Sequence, residues 1–283
     1  MKKIFSVLIS AILIFQICFM TASAVEDNEN LNLLVLGDSI AAGTGLVYPE
    51  ECCYASLIAK AENYNCRNAA YSGNTARSLK WSLEYSSDYD YIPFTVKYVM
   101  DADIIIISAG GNDLLWGNLV EKLNQALFHD DYTLIDFLIE EYYRNIKEIV
   151  MSINKINPEA TLLIQTLYNP RFDVLANVYQ YATDNLNRML RKVEQELPGF
   201  FHIVDVASDL GRNPFYYSVD TLHPNKAGHY AIAKSYLRVL NDLGLGTELI
   251  PPRQPTIFEI PDYFDKLMAV IKEYMAVIKG FLN

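Results

Sequence analysis

Leu33-Leu34-Val35-Leu36-Gly37-Asp38-Ser39 is the stretch on which the reading of this 283-residue chain turns. Four apolar residues run unbroken into Gly-Asp-Ser. A short apolar run closed by a turn signal reads as a strand buried on both faces, as in the interior of a parallel sheet. Ser39 then stands at the carboxyl end of a central strand, where open α/β sheets gather their ligands. Read locally, Asp38 and Ser39 serve as well as helix N-caps, a position both residue types favour. The choice between a cap and a reactive serine rests on the remainder of the chain.

Working outward, Asp103-Ile104-Ile105-Ile106-Ile107-Ser108 is the clearest second strand, with four β-branched residues in succession. Similar patterns predict strands over 31–36, 65–69, 161–167 and 201–206. Between them, apolar positions at helical spacing predict helices over 52–63, 75–85, 93–100, 117–127, 132–154, 174–196 and 225–243. Strands alternate with helices and no hairpin signal joins two strands. That order requires parallel pairing with right-handed crossovers, and so helices on both faces. The expected fold class is α/β: a three-layer α/β/α sandwich on a five-stranded parallel sheet.

The flanks read differently. Lys2-Lys3, an apolar run from Ile4 to Met20 and Ala22-Ser23-Ala24 have the layout of a cleavable export signal over 1–24. The expected location is therefore secreted, with an uncleaved anchor as the alternative. The main domain is expected over 25–249. Ile250-Pro251-Pro252-Arg253-Gln254-Pro255 is a stiff linker. Beyond it Phe264, Leu267, Met268, Ile271, Met275, Ile278 and Leu282 mark one amphipathic helix within 256–283. That helix is expected to dock on the domain, with dimerisation or contact with a membrane surface as the other readings.

Composition narrows the partners. Half the residues are hydrophobic and a fifth charged, which suits a packed core and not a disordered chain. The formal charge of −11 would become −13 once Lys2 and Lys3 left with the leader. A protein so acidic is a poor partner for nucleic acid. Twenty tyrosines suit mixed polar and apolar surfaces, such as those that meet carbohydrate, but serve equally in cores. Without Cys18, the cysteines are Cys52, Cys53 and Cys66. A helix over 52–63 would span about 18 Å, and a disulfide needs Cα atoms within about 7 Å. Reduced thiols are expected, or else a strained bond between Cys52 and Cys53.

Loops that follow parallel strands converge on one edge of the sheet. Here those loops carry Gly37-Asp38-Ser39, Gly73-Asn74, Gly110-Gly111-Asn112-Asp113 and Asp220-Thr221-Leu222-His223. The set holds a hydroxyl, an imidazole, a carboxylate and neutral donors. Acyl transfer needs such groups: a serine is a weak nucleophile until an imidazole takes its proton. The imidazole in turn needs a carboxylate to set its tautomer, and the oxyanion needs preorganised donors. Asp220 and His223 are three residues apart, so one turn of chain lets the carboxylate reach one ring nitrogen and leaves the other for Ser39. The absence of a G-x-G-x-x-G or P-loop pattern after Gly37 argues against a nucleotide site.

In these four blocks the chain resembles the SGNH/GDSL hydrolases, whose G-D-S, lone Gly, G-x-N-D and D-x-x-H appear in order between residues 31 and 243. Ile40 stands where that family often has Leu. The resemblance implies a flavodoxin-like sandwich and ester hydrolysis through an acyl-enzyme, with no metal and no cofactor. It implies Ser39 as nucleophile, His223 as general base and Asp220 as the carboxylate that orients His223. The oxyanion hole would be the backbone N–H groups of Ser39 and Gly73 with the side-chain amide of Asn112. Asp38 and Asp113 are expected to brace loops. His229 is expected to be structural, and His129 and His202 belong to no block. The expected substrate is a small-molecule or polysaccharide ester, with carbohydrate acetate leading. A lipase or lysophospholipase activity is the alternative, and a non-catalytic binding module a third reading.

Overall fold

A computed structural model describes residues 30–84, 92–115 and 117–252. The leader over 1–24, most of the linker and the amphipathic segment over 256–283 lie outside these residues. The fold described belongs to the unit that begins at Leu31.

Five strands form one parallel sheet: β1 (Asn32–Gly37), β2 (Asn65–Asn68), β3 (Ile104–Ser108), β4 (Thr161–Gln165) and β5 (His202–Val204). Their spatial order is β2-β1-β3-β4-β5. Leu33 to Gly37 of β1 pair in register with Ile104 to Ser108 of β3. The helices in chain order are α1 (Ser39–Ala42), α2 (Pro49–Cys52), α3 (Tyr54–Glu62), α4 (Ala76–Ser82), α5 (Phe94–Met100) and α6 (Gly111–Leu115). They continue as α7 (Leu119–His129), α8 (Thr133–Ile156), α9 (Ala176–Glu196), α10 (Val206–Leu210) and α11 (Lys226–Asp242). This is the α/β/α sandwich that the strand pattern predicts.

Alternation along each strand divides the core between two faces. Leu34, Leu36, Ile105 and Ile107 pack under α4, α5, α7, α8 and α9. Leu33, Val35, Ile104 and Ile106 pack under α2, α3, α10 and α11. Ile104 to Ile107 are all fully buried, and each contributes about 1.5–3 kcal/mol by leaving water. Among the described residues no helix is long and apolar enough to cross a membrane.

The structure departs from the sequence reading in places. The helix expected over 52–63 is two helices, because Cys53 is extended (φ −63°, ψ 146°) between α2 and α3. The strand expected over 201–206 ends at Val204, and Asp205 caps α10 by accepting from the Ser208 N–H. An apolar run cannot separate a strand end from a buried helical turn. The helix expected from 117 begins at Leu119, where Asn118 caps it. The helix expected from 225 begins at Lys226, with Asn225 as its cap. Cys52, Cys53 and Cys66 are thiols. Cys53 Sγ donates to Ala41 O at 3.2 Å, and burial pushes its pKa up to about 12.

The strand order places the site. The chain leaves β1 to one side for β2, then returns past it to β3. The crevice at the carboxyl ends of β1 and β3 is the point where the order reverses, where sheets of this kind bind ligands.

Candidate active site

The crevice begins at Gly37. Its φ is +151°, and a Cβ there would fall 2.3 Å from Ser108 O. Only glycine allows β1 to lie so close to the end of β3. The Asp38 N–H then donates to Ser108 O at 3.0 Å. Asp38 caps α1 by accepting from the Ile40 N–H at 3.0 Å. The cap is thus Asp38, and Ser39 is the first helical residue with its hydroxyl available to other partners. Ser39 Oγ lies 2.9 Å from His223 Nε2.

His223 comes from a closed loop. Tyr217 and Pro224 pair across its neck, the Ser218 N–H donates to His223 O at 2.8 Å, and the Thr221 N–H to Ser218 O at 2.9 Å. Thr221 takes φ +55° at the tip, a left-handed conformation costly for a β-branched residue. Within this loop Asp220 Oδ1 accepts from the N–H groups of Leu222 at 2.9 Å and His223 at 3.0 Å. Asp220 Oδ2 lies 2.6 Å from His223 Nδ1. Burial alone would raise the Asp220 pKa, but bonds from the His223 ring and the two N–H groups outweigh it and hold it at about 2. An ionised carboxylate only accepts, so Nδ1 carries the hydrogen and Nε2 faces Ser39 as an acceptor.

The loop is anchored from behind. Asn225 caps α11 by accepting from the Gly228 N–H at 3.1 Å, while its amide donates to Phe215 O at 2.9 Å and Tyr217 O at 3.0 Å. Tyr168 Oη donates to Leu222 O at 3.2 Å. Neither role was expected from the sequence. An Asn three residues before Gly228, at the start of a helical pattern, is the cap signal that could have found the first. Thr221 has no such signal, since threonine is disfavoured where it sits.

The expected oxyanion residues divide. Asn112, in α6, lines with Ser39 a cavity of about 70 Å³, whose other walls include Leu114, Leu115, Leu167 and Tyr168. Its Nδ2 donates to Asn74 O at 2.9 Å, which leaves one amide hydrogen uncommitted to that bond. Gly73, with φ +85°, lines an adjoining groove and not this cavity. It precedes Asn74, the residue that holds Asn112.

Two carboxyls lie beneath. Asp38 is 4% exposed, and burial, partly opposed by the Ile40 N–H, pushes its pKa up to about 7. Asp113 accepts from the Ala76 N–H at 2.8 Å, and burial raises it to about 6. Both brace loops, as expected. His229 is fully buried, its Nδ1 accepts from the Tyr54 N–H at 3.3 Å, and burial lowers its pKa to about 3. It is a neutral structural residue. His202 begins β5 and His129 ends α7, each in its own element.

Residues 35–231 match the GDSL-like Lipase/Acylhydrolase family, and the chain belongs to that family of serine ester hydrolases. A Bacillus subtilis (strain 168) protein described as "Uncharacterized protein YpmR" is 23% identical over 266 residues, covering 87% of this chain and 99% of that protein. The lipase Lip_vut3 from a goat rumen metagenome is 22% identical with a TM-score of 0.61, over 77% of this chain and 99% of that one. An acetyl xylan esterase from Geobacillus stearothermophilus is 19% identical with a TM-score of 0.52, over 77% of this chain and 96% of that one. At these identities the likeness to the two solved structures is one of fold.

Proposed function

We propose that this protein is an exported serine esterase that removes small acyl groups, foremost acetyl, from carbohydrate through an acyl-enzyme. The observation that carries the reading is the unbroken line from Asp220 Oδ2 through the His223 ring to Ser39 Oγ, with steps of 2.6 and 2.9 Å. In this mechanism Ser39 Oγ attacks the ester carbonyl carbon as His223 Nε2 takes its proton. Asp220 stays ionised and stabilises the imidazolium. The backbone N–H groups of Ser39 and Gly73 and the Asn112 amide receive the oxyanion. His223 then gives its proton to the departing alcohol, and a water activated by the same imidazole releases the acid.

The small cavity beside Ser39 supports a short acyl group, and the acetyl xylan esterase among the structures of like fold makes carbohydrate acetate a reasonable substrate. Export rests on Lys2-Lys3 and Ala22-Ser23-Ala24, and the catalytic domain is assigned to 25–249 with 250–283 as an appendage. A lipase reading is favoured by one observation, the apolar wall formed by Leu114, Leu115 and Leu167. A panel of p-nitrophenyl esters from acetate to laurate, run with acetylated xylan and with Ser39→Ala, decides between them. The expected result is turnover strongest for acetate and release of acetate from xylan, both abolished in Ser39→Ala. Preference for laurate would replace the carbohydrate reading by the lipase one, and no turnover of any ester would leave a binding module.

A further inference from the structure

The cavity beside Ser39 has a neighbouring recess at this edge of the sheet. The second, a groove of about 300 Å³, is lined by Gly73, Asn74 and Asp113 and runs out past Trp81 and Tyr71. That volume lies within the range of small-molecule sites. The two recesses share a wall. Asn112 borders the cavity, Asp113 borders the groove, and the bond from Asn112 Nδ2 to Asn74 O closes the partition between them. On the esterase reading the cavity beside Ser39 takes the acyl group, and the groove across the partition is a recess left for the alcohol.

Three features of the groove describe that alcohol. Trp81 and Tyr71 line it with 58% and 77% of their surface exposed, a large aromatic area left in water at the rim of a recess. Such rings present a flat apolar face and a polar edge, which matches a sugar ring with its C–H face and ring of hydroxyls. Arg77 and Glu141, paired at 2.7 Å, form one wall. Their planar groups offer donors and acceptors to ligand hydroxyls, and Glu141 also pairs with Arg144. Asn145, on α8, borders the groove at 6% exposure, and its Nδ2 has no hydrogen-bond partner among the described residues. Its Nδ2 is itself closed off from water, so it meets a ligand hydroxyl by a turn of the Asn145 side chain, a turn that the cost of an unsatisfied buried amide favours.

We infer that this groove is the leaving-group subsite, and that it holds a neutral oligosaccharide with a sugar ring stacked on Trp81 and a hydroxyl bonded to Asn145. The inference rests on the esterase reading for its direction, acyl group to one side and sugar to the other, but the groove can be tested without catalysis. Titration calorimetry on the full chain carrying Ser39→Ala, with xylotetraose, cellotetraose and triacetylchitotriose as probes and glycerophosphocholine as the lipid-headgroup probe, reads binding directly. Saturable binding of at least one saccharide is expected, weakened tenfold or more by Trp81→Ala or Asn145→Ala and largely restored by Trp81→Phe. Binding of glycerophosphocholine in place of the saccharides, or of no probe, overturns the inference.

Kinetics supply the second arm. With Ser39 intact, Trp81→Ala should lower kcat/KM for the acetylated form of the bound saccharide at least tenfold more than for p-nitrophenyl acetate. Equal losses on both substrates overturn the assignment of a sugar to this side. Saccharide binding by a protein that hydrolyses no ester would remove the esterase reading and keep the groove as a sugar site.

Discussion

Asp38→Asn should make this protein more stable relative to the native chain as pH rises, because Asp38 is a carboxyl that burial keeps protonated near neutrality. In the folded chain its pKa is raised from 3.8 to about 7, chiefly by burial, with Asp113 nearby adding to the rise. The folded state therefore holds the proton more tightly than the unfolded state. The stability this contributes is present below about pH 4 and is lost as pH rises through about 7. Between pH 5 and about pH 7 the unfolded chain has released the proton and the folded chain has not. At about 1.4 kcal/mol per pH unit, those two units come to about 3 kcal/mol. Asparagine carries no charge and keeps an oxygen for the Ile40 N–H. The advantage of Asp38→Asn over the native chain should thus grow by about 3 kcal/mol from pH 5 to pH 8. Asp113 titrates in the same window in both proteins and largely drops out of the difference. Any cost of fitting the amide near Gly111 is a constant offset that leaves the slope unchanged. Urea unfolding of both proteins at pH 5, 6, 7 and 8, followed by circular dichroism and by tryptophan fluorescence, measures it. Coincident transitions license the comparison. A difference that is flat with pH, or that shrinks, would refute the claim that burial keeps this carboxyl neutral.

Asp220→Asn should lower kcat/KM for p-nitrophenyl acetate by about a hundredfold to ten-thousandfold, since an amide can hold His223 in the wrong tautomer. Steady-state kinetics with a folded variant check this, and full activity would sink the role given to Asp220. With its pKa at about 2, Asp220 itself should impose no loss of native activity above about pH 3. Thr221→Asn should stabilise by about 0.5–1 kcal/mol, because asparagine tolerates the left-handed backbone at φ +55°. A rise in Tm of a few degrees is the expected readout, and a fall would contradict the strain. Gly37→Ala should cost at least about 3 kcal/mol, because its Cβ would meet a backbone oxygen at 2.3 Å. Thermal melts should show a large drop in Tm with loss of the contact between Asp38 and Ser108.

The sheet was readable because its evidence is local and redundant. Ile104 to Ile107 are fully buried, and no element except an interior strand explains four β-branched residues that bury both faces. Short helices were less readable. Gly110-Gly111-Asn112-Asp113 has the composition of a turn, yet α6 begins at Gly111, where the chain leaves the sheet edge. Val206 continues an apolar run, yet the Asp205 cap diverts it into α10. In the candidate site, the spacing of Asp220 and His223 carried the expectation that one loop could present both. Loop packing that no motif marks was not legible. The support from Tyr168 and the placement of Gly73 in the groove beside the Ser39 cavity depend on how loops pack, which no spacing encodes.

The bond between Ser39 and His223 joins residues 184 apart. One stands just after the first strand, the other just before the last described helix, and the other four strands of the sheet lie between them in the chain. A nascent chain can bury much of its core with neither partner in reach of the other. Esterase turnover therefore reports that both extremities of the domain have docked. A protein cut short before Asn225 would lose the anchor of the His223 loop together with α11, whose Ile232, Tyr236 and Leu237 are fully buried in the core, so the contact between Ser39 and His223 and the packing of that face would be lost together.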